Sequence, residues 1–535
     1  MQNPGSTVVI QITMITLLDY GAGNVRSVVN AVKRLGATVT TAVSADDIVS
    51  ADKLIFPGVG AFGSMMHELY KKGFAKPLKA YLQSGRPFFG ICLGMHALFE
   101  GSEEAPDQPG LGLLPGRVIR FQIDRSVPHI GWNGICAKQP SPIFKGIQGD
   151  ERFYFVHAFH VVCDDPDTVL TTTHYGGPFV SAVQQGAVIA TQFHPEKSGV
   201  SGLKLLENFI RGAFAAVLPE SDAAANLSRR IVACLDVRTN DDGDLVVTKG
   251  DQYDVRESGR VRNLGKPVAL AGRYFKDGAD EITFLNITGF RDFPLDDLPM
   301  LRVLEETSRN VFVPLTIGGG IRDFVDRHGK HSSALDVATA YFRAGADKIS
   351  IGSDAVDIAL AYLQTGQKTG QSAIETISRI YGSQAVVISI DPRRVYIASP
   401  NDVAHQVITT HIPGPNGEMF CWYQCTTAGG RKGRNLDAVT LAKACEELGA
   451  GEILLNCIDR DGTNSGFDLE LINAVKKAVT IPVIASSGAG SAYHFEEVFT
   501  RTEAEAALAA GIFHRREVSI AQVKGHLKGK VPVRR

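Results

Sequence analysis

The sequence predicts an α/β protein of two units, an open α/β sheet domain followed by an eight-stranded (β/α)8 barrel assembled from two half-barrel repeats. Two observations carry this expectation. Short apolar runs alternate with helical patterns along the chain, and from Ile231 onward the pattern also repeats itself. Ile231-Val232-Ala233-Cys234-Leu235-Asp236 resembles Val386-Val387-Ile388-Ser389-Ile390-Asp391, and Leu315-Thr316-Ile317-Gly318-Gly319-Gly320 resembles Val483-Ile484-Ala485-Ser486-Ser487-Gly488. Lys348 to Ser353 has its counterpart in Ala506 to Gly511. Partner positions lie 155 residues apart at Asp236 and Asp391 and 168 apart at Gly320 and Gly488, the spacing of two halves of four βα units each.

In chain order, Ile15 to Leu18 is expected as a strand before a glycine-rich turn, Val25 to Leu35 as a helix of 3.6-residue period, and Lys53 to Phe56 as a strand ending in Pro57-Gly58-Val59-Gly60. Phe88 to Ile91 follows as a buried strand running into Cys92. After Phe209-Ile210 the chain turns Ala-rich and polar, with Pro219, Glu220, Ser221 and Asp222, until Arg229-Arg230, which reads as a linker. The expected organisation is 14–215 for the first domain, 216–228 for the linker and 229–535 for the barrel. Residues 1–13 form an extension to which no function is assigned. Residues 239 to 263, rich in Asp, Gly and Arg, are expected in the loop after the first barrel strand, on the catalytic face.

With 535 residues, 44% of them apolar and 21% charged, the chain has the composition of a soluble globular protein, and no stretch approaches the roughly 18 apolar residues of a membrane helix. The formal charge of −2, with dispersed basic residues, gives a nucleic-acid partner no electrostatic footprint. The short cluster Arg431-Lys432-Gly433-Arg434 reads as solvated surface or a phosphate contact. Eight cysteines without paired metal-ligand spacing indicate neither a disulfide framework nor a zinc site. No metal or other cofactor is expected. The first basic residue is Arg26, so the N-terminus carries neither a secretory nor a transit pattern. A reducing compartment, the cytoplasm, is the expected location.

Cys92 lies in Gly90-Ile91-Cys92-Leu93-Gly94, where a strand-to-helix turn bracketed by glycines would expose the sulfur beside a helix N-terminus that favours thiolate. Alone, such a residue reads equally well as a buried structural cysteine. Joined to Gln192-Phe193-His194-Pro195-Glu196 it reads as a nucleophile, with His194 as base and then acid and Glu196 as the group that orients the imidazole.

Pro57-Gly58-Val59-Gly60, the Cys92 pentapeptide and His194-Pro195-Glu196 together resemble the class I, triad-type glutamine amidotransferases over roughly residues 14 to 215. The resemblance implies hydrolysis of glutamine through a thioester at Cys92, with backbone N–H groups of Gly58, Val59 and Gly60 binding the oxyanion. His96 departs from the glutamine that many relatives carry in the substrate pocket, and is expected at the glutamine site.

In the second unit, Asp236 and Asp391 close equivalent strands and should face each other across one barrel mouth, where a carboxylate pair can divide acid and base roles. A lone strand-end aspartate more often caps a helix; the symmetric pair favours catalysis. Gly318 to Gly320, including Gly319 and Gly320, and Ser487-Gly488 suit backbone wrapping of a phosphate. Ser353 and Ala510-Gly511 on neighbouring strands support them, so a ligand with a phosphate at each end is expected.

Ala233 to Val237, Thr316 to Ile321, Gly451 to Leu455, Asp459-Arg460-Asp461-Gly462-Thr463 and Ala485 to Gly490 resemble the TIM-barrel cyclases of histidine biosynthesis, from about residue 229 to the C-terminus. The fusion order is similar to single-chain bifunctional enzymes of fungi and plants. The resemblance implies small-molecule substrates, glutamine and a phosphoribulosyl-formimino aminoimidazole carboxamide ribotide, the latter converted with ammonia to imidazole glycerol phosphate and aminoimidazole carboxamide ribotide. It makes Asp236 and Asp391 the acid/base pair, Lys249 a mobile-loop lysine and Asp461 a substrate contact. The loop from Asp236 to Lys249 and the segment around 326 to 334 are longer than in bacterial cyclases.

Arg230, Glu281, Lys348 and Glu452 fall near barrel strand starts, opposite the aspartates. Each alone reads as a surface salt bridge. With Arg230/Lys348 and Glu281/Glu452 on alternating strands they would close a ring of opposite charges, which matches the family's ammonia gate. A pyridoxal phosphate synthase barrel, the sister isomerase barrel and a catalytically silent phosphosugar-binding scaffold are the rivals. Strand-end aspartates instead of lysines weigh against the first, the attached glutaminase against the second, and the intact catalytic residues against the third. With both activities on one chain, a monomer is expected.

Overall fold

The computed structural model describes residues 13–21, 23–212, 215–220, 227–240, 242, 244–248, 256–257, 260–261, 263–287, 295 and 298–534. Most of the N-terminal extension, part of the linker and Lys249 therefore lie outside the described residues.

In the first domain five parallel strands lie in the order Thr38–Ala42, Met14–Leu18, Leu54–Gly58, Phe88–Cys92 and Val188–Thr191. Antiparallel Pro178–Gln185 and Val169–His174 extend the sheet beyond them. The middle strands are apolar throughout because helices cover both faces. Leu17, Ile55 and Phe89 pack with the helices Val25–Arg34 and Gly199–Arg211. Their chain neighbours Leu18, Leu54 and Phe88 pack with Phe62–Lys71 and Ala75–Gln83.

The second unit closes on itself. Its eight parallel strands run in order as Arg230–Thr239, Glu281–Asn286, Leu315–Gly318, Lys348–Ile351, Val386–Ile390, Glu452–Asn456, Val483–Ser486 and Ala506–Ala509, and the last pairs with the first. Outward-facing residues pack under the helices, while Val232, Val387, Leu454, Ile484, Ala506 and Leu508 fill the lumen as a separate apolar cluster.

One segment differs from expectation. The first strand continues past Asp236 to Thr239, and Leu245–Thr248 folds back on it with Asp236 opposite Thr248, so part of the supposed loop is a hairpin. The segment near 326 likewise forms a small hairpin, Phe324–Val325 with His331–Ser332. After Asp391 the chain adds a sheet of Pro392–Ile397, Val407–Thr409, Phe420–Thr427 and Lys432–Asp437. Arg394 fastens it. Its guanidinium donates to both Asp468 oxygens at 2.8 and 2.9 Å, and its backbone N–H donates to Asp459 at 2.7 Å.

The two units share one core. Ile130, Trp132 and Tyr154 of the first belong to the apolar cluster of the barrel. The Trp132 indole N–H donates to the Asp280 carbonyl at 3.0 Å, and the Arg534 guanidinium sits 4.1 Å from its ring centroid. At either end of the expected linker Val217 is bridged to Ser141 and the Ser228 N–H donates to the Trp132 carbonyl. Among the described residues no helix is long and apolar enough to cross a membrane.

Replacing Arg394 with alanine strands the buried Asp468 carboxylate. It should cost about 3–5 kcal/mol, read as a lower denaturant midpoint of the barrel transition; an unchanged midpoint would show that the clamp carries no stability.

Candidate active sites

Cys92 ends its strand at φ 53°, ψ −104°, a left-handed backbone that turns the chain sharply. The glycines around it permit close backbone packing. A Cβ at Gly94 would meet the Phe56 carbonyl oxygen at 2.2 Å, one at Gly90 the Gly94 oxygen at 2.7 Å, and one at Gly58 the Gly94 nitrogen at 2.4 Å. These glycines let the turn nest between two strands. The helix that follows is the single turn Leu93–His96, so the expected support from a helix N-terminus is slight: aligned peptide dipoles need length to add up. The groups found at the sulfur are side chains instead.

His194 follows the strand Val188–Thr191 and caps the short turn Pro195–Lys197. Its Nδ1 lies 2.8 Å from Glu196 Oε1, and its other side hydrogen-bonds Cys92. Burial alone would lower the imidazole pKa, but the Glu196 charge and then Cys92 outweigh it and raise it to about 10. At neutral pH the imidazole is therefore held as imidazolium beside the sulfur. The Gln192 amide Nε2 lies 3.4 Å from Cys92 Sγ and its Oε1 2.8 Å from His96 Nε2. Gly58 stands opposite Cys92 in the parallel register. The Val59 N–H donates to the Tyr20 hydroxyl at 3.2 Å, and that hydroxyl donates to the Val59 carbonyl. The sequence reading gave no role to Tyr20 or Gln192. Gln192 stood two residues before His194; Tyr20 carried no signal.

A cavity of about 820 Å³ opens at the barrel mouth. Asp236 and Asp391 line it from the first and fifth strands, diametrically opposed. Asp391 Oδ1 accepts from Asn456 Nδ2 at 2.8 Å. Gly319, Gly320, Ser353, Asp461, Ser487, Gly488, Ala510 and Gly511 all line the same cavity, with Gly319, Gly320, Ser487 and Gly488 at positive φ. Arg431, Lys432 and Arg434 join them from the tip of the added sheet, whose Ala428 N–H donates to Ser353 Oγ at 3.1 Å. This basic cluster faces the cavity, and Arg238, Arg322 and Arg515 extend its positive rim.

At the opposite barrel end Arg230, Glu281, Lys348 and Glu452 are buried completely. Arg230 pairs with Glu281 at 2.7 Å and with Glu452, and Lys348 pairs with Glu281 at 2.7 Å and Glu452 at 2.5 Å. Each carboxylate thus bridges both cations. The expected alternation of strands needs correction, since Arg230 and Glu281 lie on neighbouring strands and it is the charges that alternate. Two connections reach this ring from the thiol site. Tyr154, fully buried, accepts from the His194 N–H at 2.9 Å, while its phenol, its pKa raised by burial and then by Glu281, senses the ring charges. Lys197, next to Glu196, pairs at 2.6 Å with Asp347, next to Lys348.

A Cys-His-Glu set in the first unit and a two-aspartate barrel mouth in the second are the arrangement of a glutamine amidotransferase joined to a barrel enzyme. Family models agree with that division: glutamine amidotransferase class-I matches residues 16–213, and histidine biosynthesis protein matches 230–519. The chain is 57% identical to imidazole glycerol phosphate synthase hisHF, chloroplastic, of Arabidopsis thaliana over 96% of its own length and 88% of the relative's. It is 53% identical to imidazole glycerol phosphate synthase hisHF of Schizosaccharomyces pombe, covering 96% and 98%. The HisF subunit of Methanosphaera stadtmanae is 41% identical over 58% of this chain and 99% of its own. The chain belongs to the imidazole glycerol phosphate synthase family, in its fused hisHF form, and is an enzyme of histidine biosynthesis.

Gly94→Ala should destabilise the first domain by about 1–3 kcal/mol through overpacking and slow alkylation of Cys92; a variant with parental melting and parental Cys92 reactivity would show that the turn has room to relax.

Proposed function

We propose that the chain hydrolyses glutamine at Cys92 and delivers the ammonia through the barrel to Asp236 and Asp391, where the formimino ribotide becomes imidazole glycerol phosphate and aminoimidazole carboxamide ribotide. The observation that carries this is the buried ring of Arg230, Glu281, Lys348 and Glu452, set between the thiol site and an apolar lumen that leads to the aspartates.

The Cys92 thiolate attacks the glutamine carboxamide carbon, and backbone N–H groups of Gly58 to Gly60 take the oxyanion. The Val59 N–H must exchange its Tyr20 partner for that charge. His194 gives its proton to departing ammonia, which leaves a thioester; it then takes a proton from the water that releases glutamate. Neutral ammonia crosses the ring when Lys348 swings its flexible stem off one carboxylate. Gly319, Gly320 and Ser353 hold one phosphate and Ser487, Gly488, Ala510 and Gly511 the other. Asp461 contacts the substrate between them and Lys249 closes over it. Asp236 and Asp391 move the protons of cleavage and ring closure. The domain limits 14–215, 216–228 and 229–535, a monomeric state and a cytoplasmic, reducing location belong to the same proposal. Eight free cysteines support the last, although the Arabidopsis relative is named chloroplastic.

The test follows glutamate and imidazole glycerol phosphate in one tube. The parent chain should form them in matched amounts. Lys348→Ala should keep releasing glutamate while less of it is matched by barrel product, and unchanged stoichiometry would remove the ring from the path.

The pH profile provides a second check. His194 is charged in the folded protein up to about pH 10. Its pKa is raised above the ordinary 6.5, so its stabilising pairing is fully present below that value and is lost as pH rises through about 10. Glutamate release should therefore hold level through neutrality and fall with a midpoint near 10; loss of rate centred near the ordinary imidazole value would mean that His194 is not held charged.

A further inference from the structure

Gln192 stands beside Cys92 with no part in the chemistry above, and His96, expected at the glutamine site, stands behind it. Gln192 directly follows the strand Val188–Thr191 that leads to His194; its backbone N–H donates to the Ser181 carbonyl at 2.9 Å and its side chain is completely buried. The carboxamide spans two partners, with Oε1 2.8 Å from His96 Nε2 and Nε2 3.4 Å from Cys92 Sγ.

A carboxamide can be turned either way round, and His96 decides between them. Burial lowers the His96 pKa to about 4, so at neutral pH the ring carries one N–H. Its Nδ1 is buried without a hydrogen-bond partner among the described residues. With Gln192 Oε1 facing it, His96 places the proton on Nε2 and leaves only a lone pair bare at Nδ1. Turned the other way, Gln192 would require a lone pair at Nε2 and would force a buried N–H at Nδ1 without an acceptor. A bare buried donor is the rarer and costlier orphan. The same choice aims an amide N–H at Cys92 Sγ, which also hydrogen-bonds the His194 imidazolium. The one-turn helix after Cys92 offers the sulfur little support, so a side-chain donor has a place to fill.

We infer that Gln192 is a further catalytic residue of the glutaminase site, donating an N–H to the Cys92 thiolate, and that His96 is the positioning residue that holds its carboxamide in that sense. The bond favours thiolate over thiol and fixes the direction from which sulfur attacks. It weakens once the sulfur becomes neutral in the thioester, so Gln192 readies the nucleophile without trapping the intermediate. His96 thus serves the site through Gln192.

The inference rests on the glutaminase assignment, and its test separates the two. Alkylation of Cys92 by iodoacetamide, followed on the Cys92 peptide by mass spectrometry across pH in the full-length chain, reads the thiolate directly. Gln192→Leu should raise the alkylation midpoint by about one pH unit, the size of a hydrogen bond to a charged group, and cut glutamate release about tenfold. The isosteric Gln192→Glu, which places a carboxylate at the sulfur and keeps the packing, should raise the midpoint further. His96→Leu should shift it in the same direction, and His96→Gln, whose own amide can donate to Gln192 Oε1, should restore it. Ammonia-dependent turnover at the barrel mouth reports that each chain has folded. Unmoved midpoints in both Gln192 variants, or a His96→Leu shift that His96→Gln leaves uncorrected, would overturn the inference. A parent chain that releases no glutamate would overturn the glutaminase assignment, while a shifted midpoint would still support the hydrogen bond.

Discussion

Four charges buried together at the junction of the two units constrain everything around them. Arg230, Glu281, Lys348 and Glu452 have lost their water, and such groups are tolerable only if each finds opposite charge and hydrogen bonds in full. The ring supplies the opposite charge by symmetry, since every member touches two of the opposite sign, and only the Arg230 Nε is left without a partner among the ring atoms. Burial works against the charge on Arg230 and on Glu281, yet the partners win: the first is held firmly protonated and the second ionised. Thr316 adds a hydroxyl to Glu281 at 2.6 Å. A ring of this kind contributes little net stability but imposes a geometry, because losing any one corner leaves its neighbours uncompensated.

That requirement explains why the units are fused by a core and not merely by a tether. Water reaching the ring would screen it and open a leak between the sites, and the seal is apolar. Ile130, Trp132 and Tyr154 press into the barrel core from one side, and Phe312 of the barrel enters the core of the first domain from the other. Around this seal lie directional contacts: Asn24 donating to Asp347 at 2.8 Å, Lys197 paired with Asp347, and the Ala61 N–H donating to the Ile380 carbonyl. The last joins the glycine turn beside Cys92 to the helix that precedes the fifth barrel strand, whose far end carries Asp391.

Much of this was legible in the sequence, for identifiable reasons. Strands buried on both faces are written as largely apolar runs, so Phe88 to Ile91 and Val386 to Ile390 announced themselves, and the internal repeat disclosed the barrel. Asp236 and Asp391 were visible because closed eightfold order turns equal repeat positions into facing ones. What stayed hidden depends on contacts between distant residues. No local pattern reveals that the Tyr20 hydroxyl bonds the Val59 peptide, or which way the Gln192 amide is turned. The cluster at Arg431 to Arg434 reads as solvated surface or a phosphate contact, and only the sheet after Asp391, whose tip brings it to the cavity, decides between them. The helix expected after Cys92 ends after one turn, as Leu98 and Phe99 break its regular bonding pattern and hydrogen-bond instead to Met95 and His96.

The closure of the barrel by its first and last strands sets an order on assembly. Arg230 is synthesised early, but its carboxylate partners arrive 51 and 222 residues later, and the strand that seals its edge, Ala506–Ala509, comes near the end of the chain. Until then the guanidinium has nothing to neutralise it and must stay hydrated, which holds the nascent barrel floor open. Contacts of such long sequence separation form slowly, so the amidotransferase half, complete well before them, emerges from the ribosome with an exposed apolar face waiting for its cover. Closure of the barrel floor, and cover for that face, therefore come last, when Ala506–Ala509 pairs with the first strand.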